Sequence, residues 1–247
     1  MIRDQTNKEC TFECMKLRFA GIFFLFLYSL ISFTQSRNLS FYGNNLRDHL
    51  LIKQQDMVGR VTNEDIKGSP YFKDSFSTAT VNTIHTLFKG VPMRYNVHED
   101  YMEFQDNGTT FILDPKIEIR KILLNDQVFS VEPYDDHGKI KLGYFFELDS
   151  NGVRLLKKKV IRFQERIPAK ALQASSTPPT YVPGADQFYY RIAGQAAQPI
   201  HNVKKMIEDF PDHKKELLSM ANRHKIKSNE KDLTELWEYY NKIRIKK

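Results

Sequence analysis

The sequence predicts an α+β protein: a mostly antiparallel β meander, open or closed like a barrel, followed by a small C-terminal helical module. Three observations predict it. From Phe76 to Gln164, short runs of alternating apolar and polar residues are separated by turn residues at short, even spacing. Prolines and small polar residues then interrupt the pattern from Ile167 to Gly184. Beyond Val203, apolar residues recur at i, i+3, i+4 and i+7. The chain divides accordingly into a leader (1–36), a polar segment (37–70), a β domain (71–166), a proline-rich linker (167–186), and short strands with a helical module (187–247).

The leader has the parts of an export signal. Lys16 and Arg18 supply a positive start, Phe19 to Phe33 an apolar core, and Thr34 and Ser36 small residues before a cut at Arg37. The apolar run is shorter than the ~20 residues that span a bilayer. Cleavage is therefore expected, and membrane contact only through the leader if it is retained. Met15 directly precedes the charged residues, so translation can start at Met15 rather than Met1. The only cysteines, Cys10 and Cys14, lie upstream, so the exported part has no disulfide, thiolate or cysteine-ligated metal. That fits a bacterial periplasm or cell surface. There, the acceptor patterns Asn38-Leu39-Ser40 and Asn107-Gly108-Thr109 are idle. The whole chain has a formal net charge of +7; beyond Ser36 it carries 33 Lys/Arg against 27 Asp/Glu. Outside the cytoplasm no nucleic acid partner is expected, and the mild positive bias suits anionic envelope lipids or polysaccharides.

In the polar segment, Leu46, Leu50 and Leu51 hint at a short helix, and Gly68-Ser69-Pro70-Tyr71 ends it. Strands follow over Thr78–Leu87 and Val91–Val97. Asn107-Gly108 suits a two-residue type I′ turn, which sets Asp106 opposite Thr109, Phe104 opposite Phe111, and Met102 opposite Leu113. Two strands flank Asn125-Asp126. For the hairpin at Asp149-Ser150-Asn151-Gly152, a two-residue loop would place Phe146 opposite Lys157. A four-residue loop is preferred, pairing Phe146 with Leu155, Glu147 with Arg154 and Phe145 with Leu156, each pair worth roughly 0.2–1 kcal/mol. Seven or eight strands result. Phe188–Ile192 is a further short strand, with Gln198–His201 returning beside it after Gly194. Three helices close the chain, on Val203/Met206/Ile207/Phe210, on Leu217/Leu218/Ala221 with Pro211 in its first turn, and on Leu233/Leu236/Trp237/Tyr240 with Asn229 as cap.

Candidate chemistry is sparse. Asp135-Asp136-His137-Gly138 could hold a cation or do acid–base work, but adjacent side chains diverge and the residues are good turn formers, as are His98-Glu99-Asp100. No nucleophile, phosphate-loop, dinucleotide or zinc-protease motif is present, so no catalytic residue, metal or cofactor is assigned. Lys157-Lys158-Lys159 with Arg162 is the densest basic stretch, expected on an edge strand where lysines discourage unwanted pairing; it is also the candidate contact for an anionic partner. Phe104, Phe111, Phe146 and Leu155 are the candidate lining of an apolar ligand cavity.

Several motifs resemble an uncharacterised family of exported proteins of Bacteroidetes-type bacteria: Gly68-Ser69-Pro70-Tyr71, Val91-Pro92-Met93-Arg94-Tyr95-Asn96, Gly143-Tyr144-Phe145, Leu155-Leu156-Lys157-Lys158, Phe210-Pro211-Asp212 with Lys215-Glu216-Leu217, and Glu238-Tyr239-Tyr240-Asn241. The resemblance runs from Gly68 to Ile243. It implies export to a bacterial envelope and no catalytic residues. The leading expectation is a non-enzymatic envelope protein that binds a macromolecular partner or an envelope glycan. The alternatives are a carrier of a lipid-like ligand and, last, a hydrolase with a non-local site.

Overall fold

The computed structural model describes residues 53–54, 66–115, 118–166 and 177–245. The leader and the Leu46–Leu51 segment lie outside them. Among the described residues, thirteen strands precede three helices. The α+β class and the mostly antiparallel meander hold, with nine strands between Phe76 and Gln164 where seven or eight were expected.

In chain order the strands are β1 (Lys53–Gln54), β2 (Ser77–Thr83), β3 (Leu87–Asn96), β4 (Tyr101–Asp106), β5 (Thr109–Leu113), β6 (Ile119–Leu124) and β7 (Gln127–Asp136). Then come β8 (Lys139–Asp149), β9 (Arg154–Lys158), β10 (Ile161–Gln164), β11 (Thr180–Pro183), β12 (Gln187–Arg191) and β13 (Gln198–Pro199). Eleven form one sheet in the order β1-β5-β4-β3-β2-β6-β7-β8-β9-β12-β13, and β10 pairs with β11 in a separate ribbon. Three tight hairpins use two-residue turns with both residues at positive φ: Asn107-Gly108, Asn125-Asp126 and His137-Gly138. That geometry matches the twist of the flanking strands. The Asn107-Gly108 register is as expected.

The β8–β9 hairpin is not. Phe146 faces Lys157 and Glu147 faces Leu156, with a bulge before Asp149 paired to Leu155. The expected and observed registers differ by two residues, so each side chain keeps its face while its partner changes, and Leu148 is left unpaired in the bulge. The expected strand over Thr78–Leu87 is also broken, because the backbone turns back at Thr83, whose N–H and Oγ1 both bond Thr86 O.

The sheet curls twice, in opposite senses. The first curl encloses a core of Val81, Met93, Tyr95, Met102, Phe104, Leu113, Ile122, Phe129, Tyr144 and Phe146 among others. Tyr144 Oη donates to Leu113 O at 2.9 Å. β5 and β8 are six strand steps apart, about 29 Å in a flat sheet, so this bond requires the curl. The second curl encloses Tyr134, Phe145, Leu156, Tyr189 and Ala197. These point from the opposite face, because successive residues on a strand alternate. It closes where Ala197 N–H donates to Pro133 O at 2.7 Å and Asp135 N–H donates to Ala197 O at 3.0 Å. β7 and β8 serve both curls: Gln127–Phe129 pairs with β6, and Pro133–Asp135 meets Ala197.

Helices α1 (Val203–Glu208), α2 (Lys214–His224) and α3 (Glu230–Arg244) bury their apolar stripes against Val153, Leu155, Phe188 and Tyr190. Asn202 and Asn229 cap α1 and α3, accepting backbone N–H bonds. Pro211 lies in the turn before α2, which begins at Lys214, rather than in its first turn. Trp237 Nε1 donates to Val153 O at 2.6 Å and Asn241 Nδ2 to Asp149 Oδ2 at 2.7 Å. β12 and β13 extend the main sheet, so the helices pack on strands continuous with the β domain. Among the described residues no helix is long and apolar enough to cross a membrane.

Candidate functional site

Four aromatic and aliphatic residues were candidates to line a cavity. Phe104, Phe111 and Phe146 instead fill the first core. Phe104 stacks on Phe111 with centroids 5.5 Å apart, and Phe146 packs on Phe129 at 4.3 Å and edge-on to Phe72 at 5.2 Å. Leu155 is placed in the separate core under the helices. The structure therefore does not bring the four together.

The basic stretch is not on an edge: β9 lies between β8 and β12. Its lysines alternate between faces, and each meets a carboxylate from elsewhere. Lys157 Nζ, nearly buried, bonds both Glu230 oxygens at 2.9 and 3.0 Å and lies 5.4 Å from the Phe146 ring. Lys158 Nζ bonds Asp100 Oδ2 at 2.5 Å, 4.8 Å from both Tyr134 and Phe145. Lys159 Nζ reaches Asp186 Oδ2 at 3.4 Å. Arg162 is exposed on β10, away from the main sheet.

Asp100, expected only as a turn residue, joins the two curls. Its Oδ1 accepts from Tyr95 Oη at 2.7 Å and from Tyr144 N–H at 3.4 Å. Its backbone takes φ +56° to do so. Gly143 lies beneath: a Cβ there would meet Asp100 Oδ2, Lys158 Nζ and Tyr134 Cε1, each at 2.8 Å. Burial first, then the Asp100 charge, pushes the Tyr134 phenol up to about 12 and those of Tyr95 and Tyr144 well above their ordinary value. These tyrosines stay neutral, and the hydroxyls of Tyr95 and Tyr144 donate to Asp100 and to Leu113 O.

The cleft with the most convergent chemistry opens at the end of the second curl, enclosing about 530 Å³. One wall is the β7–β8 turn, Asp135-Asp136-His137-Gly138; the other is Asp186–Tyr189 with Gln198–His201, and Ser228 closes it. The turn behaves as expected of turn chemistry, with Asp135 Oδ1 accepting Gly138 N–H at 2.6 Å. Asp136 accepts from Lys141 and from His137 Nδ1, and those two bonds, Lys141 first, hold its carboxyl below the usual range. Tyr189 Oη donates to Gln187 Oε1 at 3.2 Å. Phe188 and Tyr189, both largely buried, supply aromatic surface between these polar groups. Among the described residues no three His, Cys, Asp or Glu side chains gather closely enough to hold a metal ion.

Sequence reasoning found one wall of this cleft and missed the other. Asp186, Gln187, Gln198 and His201 carry no local motif, and the cleft exists only because β13 returns to β7. A larger groove of about 690 Å³ runs between α2 and α3. Its lining alternates Lys215, Glu216, Arg223, Glu235, Glu238 and Lys242, and His224 pairs with Glu235 across it at 2.7 Å. Balanced charges of this kind describe a solvated helix seam.

The fold and the cleft define a β-rich α+β protein with an open cleft lined by carboxylates, amides and aromatic rings at one end of the curled sheet. No family model matches the chain, and neither a curated protein nor a solved structure is significantly similar to it.

Proposed function

We propose that this chain is a non-enzymatic protein of a bacterial envelope that binds an envelope glycan in the cleft between the β7–β8 turn and β12–β13. The placement rests on the apolar run Phe19–Phe33 and on the lack of cysteine beyond Cys14. The observation that carries the ligand class is the lining of the cleft. Carboxylates at Asp135, Asp136 and Asp186 accept hydrogen bonds, while the amides of Gln187 and Gln198 both donate and accept. Sugar hydroxyls need both, and aromatic rings such as Tyr189 suit their apolar faces. The volume falls within the roughly 300–1,000 Å³ of small-molecule sites.

Two other readings fit less well. A carrier needs space where Phe104, Phe111 and Phe146 pack in contact. A hydrolase needs a carboxyl raised toward neutrality to act as an acid, and Asp136 is driven the other way. The test is a titration of isotope-labelled protein with peptidoglycan fragments and lipopolysaccharide core oligosaccharide, followed by NMR. Binding should shift the signals of Asp135–Gly138, Asp186–Tyr189 and Gln198–His201. The double variant Gln198→Ala, His201→Ala should bind about tenfold more weakly, from two lost hydrogen bonds. No response to either glycan, or shifts confined to other surfaces, would reject the reading.

A further inference from the structure

The β7–β8 hairpin has a second feature that the glycan reading does not use. Its two-residue turn makes Asp136 and Lys139 the hydrogen-bonded closing pair. Lys139, Lys141 and Gly143 therefore exchange bonds with β7, and Ile140, Leu142 and Tyr144 direct their N–H and C=O groups to the other side. β9 pairs with β8 only from Phe146 onward. At Tyr144 the Asp100 carboxylate accepts the outward N–H, as a neighbouring strand's carbonyl would, and ends the open stretch. Among the described residues nothing pairs with the outward edge at Ile140 and Leu142. Their side chains share one face and are 64% and 43% exposed. On the other face lie Lys139 and Lys141, the latter bonded to Asp136.

We propose that the free edge of β8, from Lys139 to Gly143, takes up an extended segment of a partner protein as an added strand, one alternating apolar with acidic residues. Main-chain bonds to Ile140 and Leu142 would supply affinity, and side-chain alternation would supply specificity. Apolar residues would cover Ile140 and Leu142, and acidic ones would face Lys139 and Lys141. Charge decides against a second copy of this chain. Antiparallel self-pairing about the middle of this edge sets Lys141 opposite its own counterpart, and like charges directly opposite are destabilising. The inference is independent of the glycan reading, whose cleft lies on the β13 side of the hairpin.

The probe is a capped peptide alternating Glu with Val, against a control alternating Lys with Val. Amide hydrogen exchange of the full chain is read by NMR. Saturating acidic peptide should slow exchange at Ile140 and Leu142 at least about tenfold, and the basic peptide should not. Leu142→Pro removes an outward donor without breaking a bond to β7 and should abolish the protection; Ile140→Glu, which leaves the backbone intact, should weaken binding about tenfold. Equal binding of both peptides, or binding without protection at these amides, would overturn the proposal. Protection without peptide that rises with protein concentration alongside a dimer in sedimentation would also overturn it, in favour of a second copy.

Discussion

Tyr144 shows how much one side chain can carry. Its ring fills the first core, its hydroxyl holds β5, and its N–H meets the carboxylate that joins the curls. Tyr144→Phe keeps the ring and leaves Leu113 O in a dry interior without that donor. The expected cost is about 1–3 kcal/mol, read as a lower denaturant midpoint at unchanged slope; an unchanged midpoint would mean the bond is replaced by water. Asp100 makes a different point. A positive-φ aspartate in a His-Glu-Asp turn reads as turn chemistry, and it is turn chemistry. Its bond to Tyr95 spans the same turn, but its bond to Lys158 comes from a strand brought near only by the curl, so no local pattern announces it. The same holds for Lys158, whose partner is 58 residues away in the chain.

At the scale of elements, β9 tests how packing overrides local pattern. A strand with three consecutive lysines reads as a solvated edge. Here it is interior, because Glu230 and Asp100 neutralise Lys157 and Lys158, and Asp186 neutralises Lys159 just beyond the strand, while the ammonium groups lie over aromatic rings. The pair between β9 and α3 is asymmetric: Lys157 is 9% exposed at its side chain and Glu230 47%. Removing the carboxylate strands a nearly buried cation, whereas removing the lysine leaves a carboxylate in contact with water. Glu230→Gln should therefore cost about 1–2 kcal/mol and Lys157→Met less than about 1; the reverse order in chemical denaturation would refute this account of the pair. Helices and tight hairpins were legible because their signals are local: Asn229 before Leu233, Asn107-Gly108 between alternating strands. The β8–β9 register was not, because Leu148 bulges, and pair chemistry alone favours the unbulged alternative. The cleft was half legible for the same reason. Asp135–Gly138 stands together in the sequence, while Gln198 and His201 arrive by tertiary closure.

The described residues form a sheet that bends one way around Phe104 and Phe129 and the other way around Tyr134 and Tyr189, with β7 and β8 common to both. Buried tyrosines at the junction set its behaviour at high pH. Folding raises the Tyr134 value from 10.0 to about 12, and those of Tyr95 and Tyr144 well above 10.0. The folded state thus holds protons that the unfolded chain releases, so this contribution is intact below about pH 10 and is lost as pH rises toward about 12 and beyond. Tyrosinate absorbance and loss of β-sheet circular dichroism should appear together there; full tyrosine ionisation with the sheet intact would refute the role. Glu147 acts at the other end of the scale. Burial alone would raise its carboxyl, but Lys121 and Arg154 outweigh burial and hold it low. Its contribution is present above the ordinary carboxylate range and fades as acid protonates it. The double curl itself is tested most directly by long-range proton–proton contacts in one NMR sample. The fold predicts nuclear Overhauser effects from the Tyr144 ring to Leu113 and from Ala197 to Tyr134, both in the same molecule. A sheet in which either set is missing would be singly curled or open, and without the contacts from Ala197 to Tyr134 the cleft between the β7–β8 turn and β12–β13 would not exist.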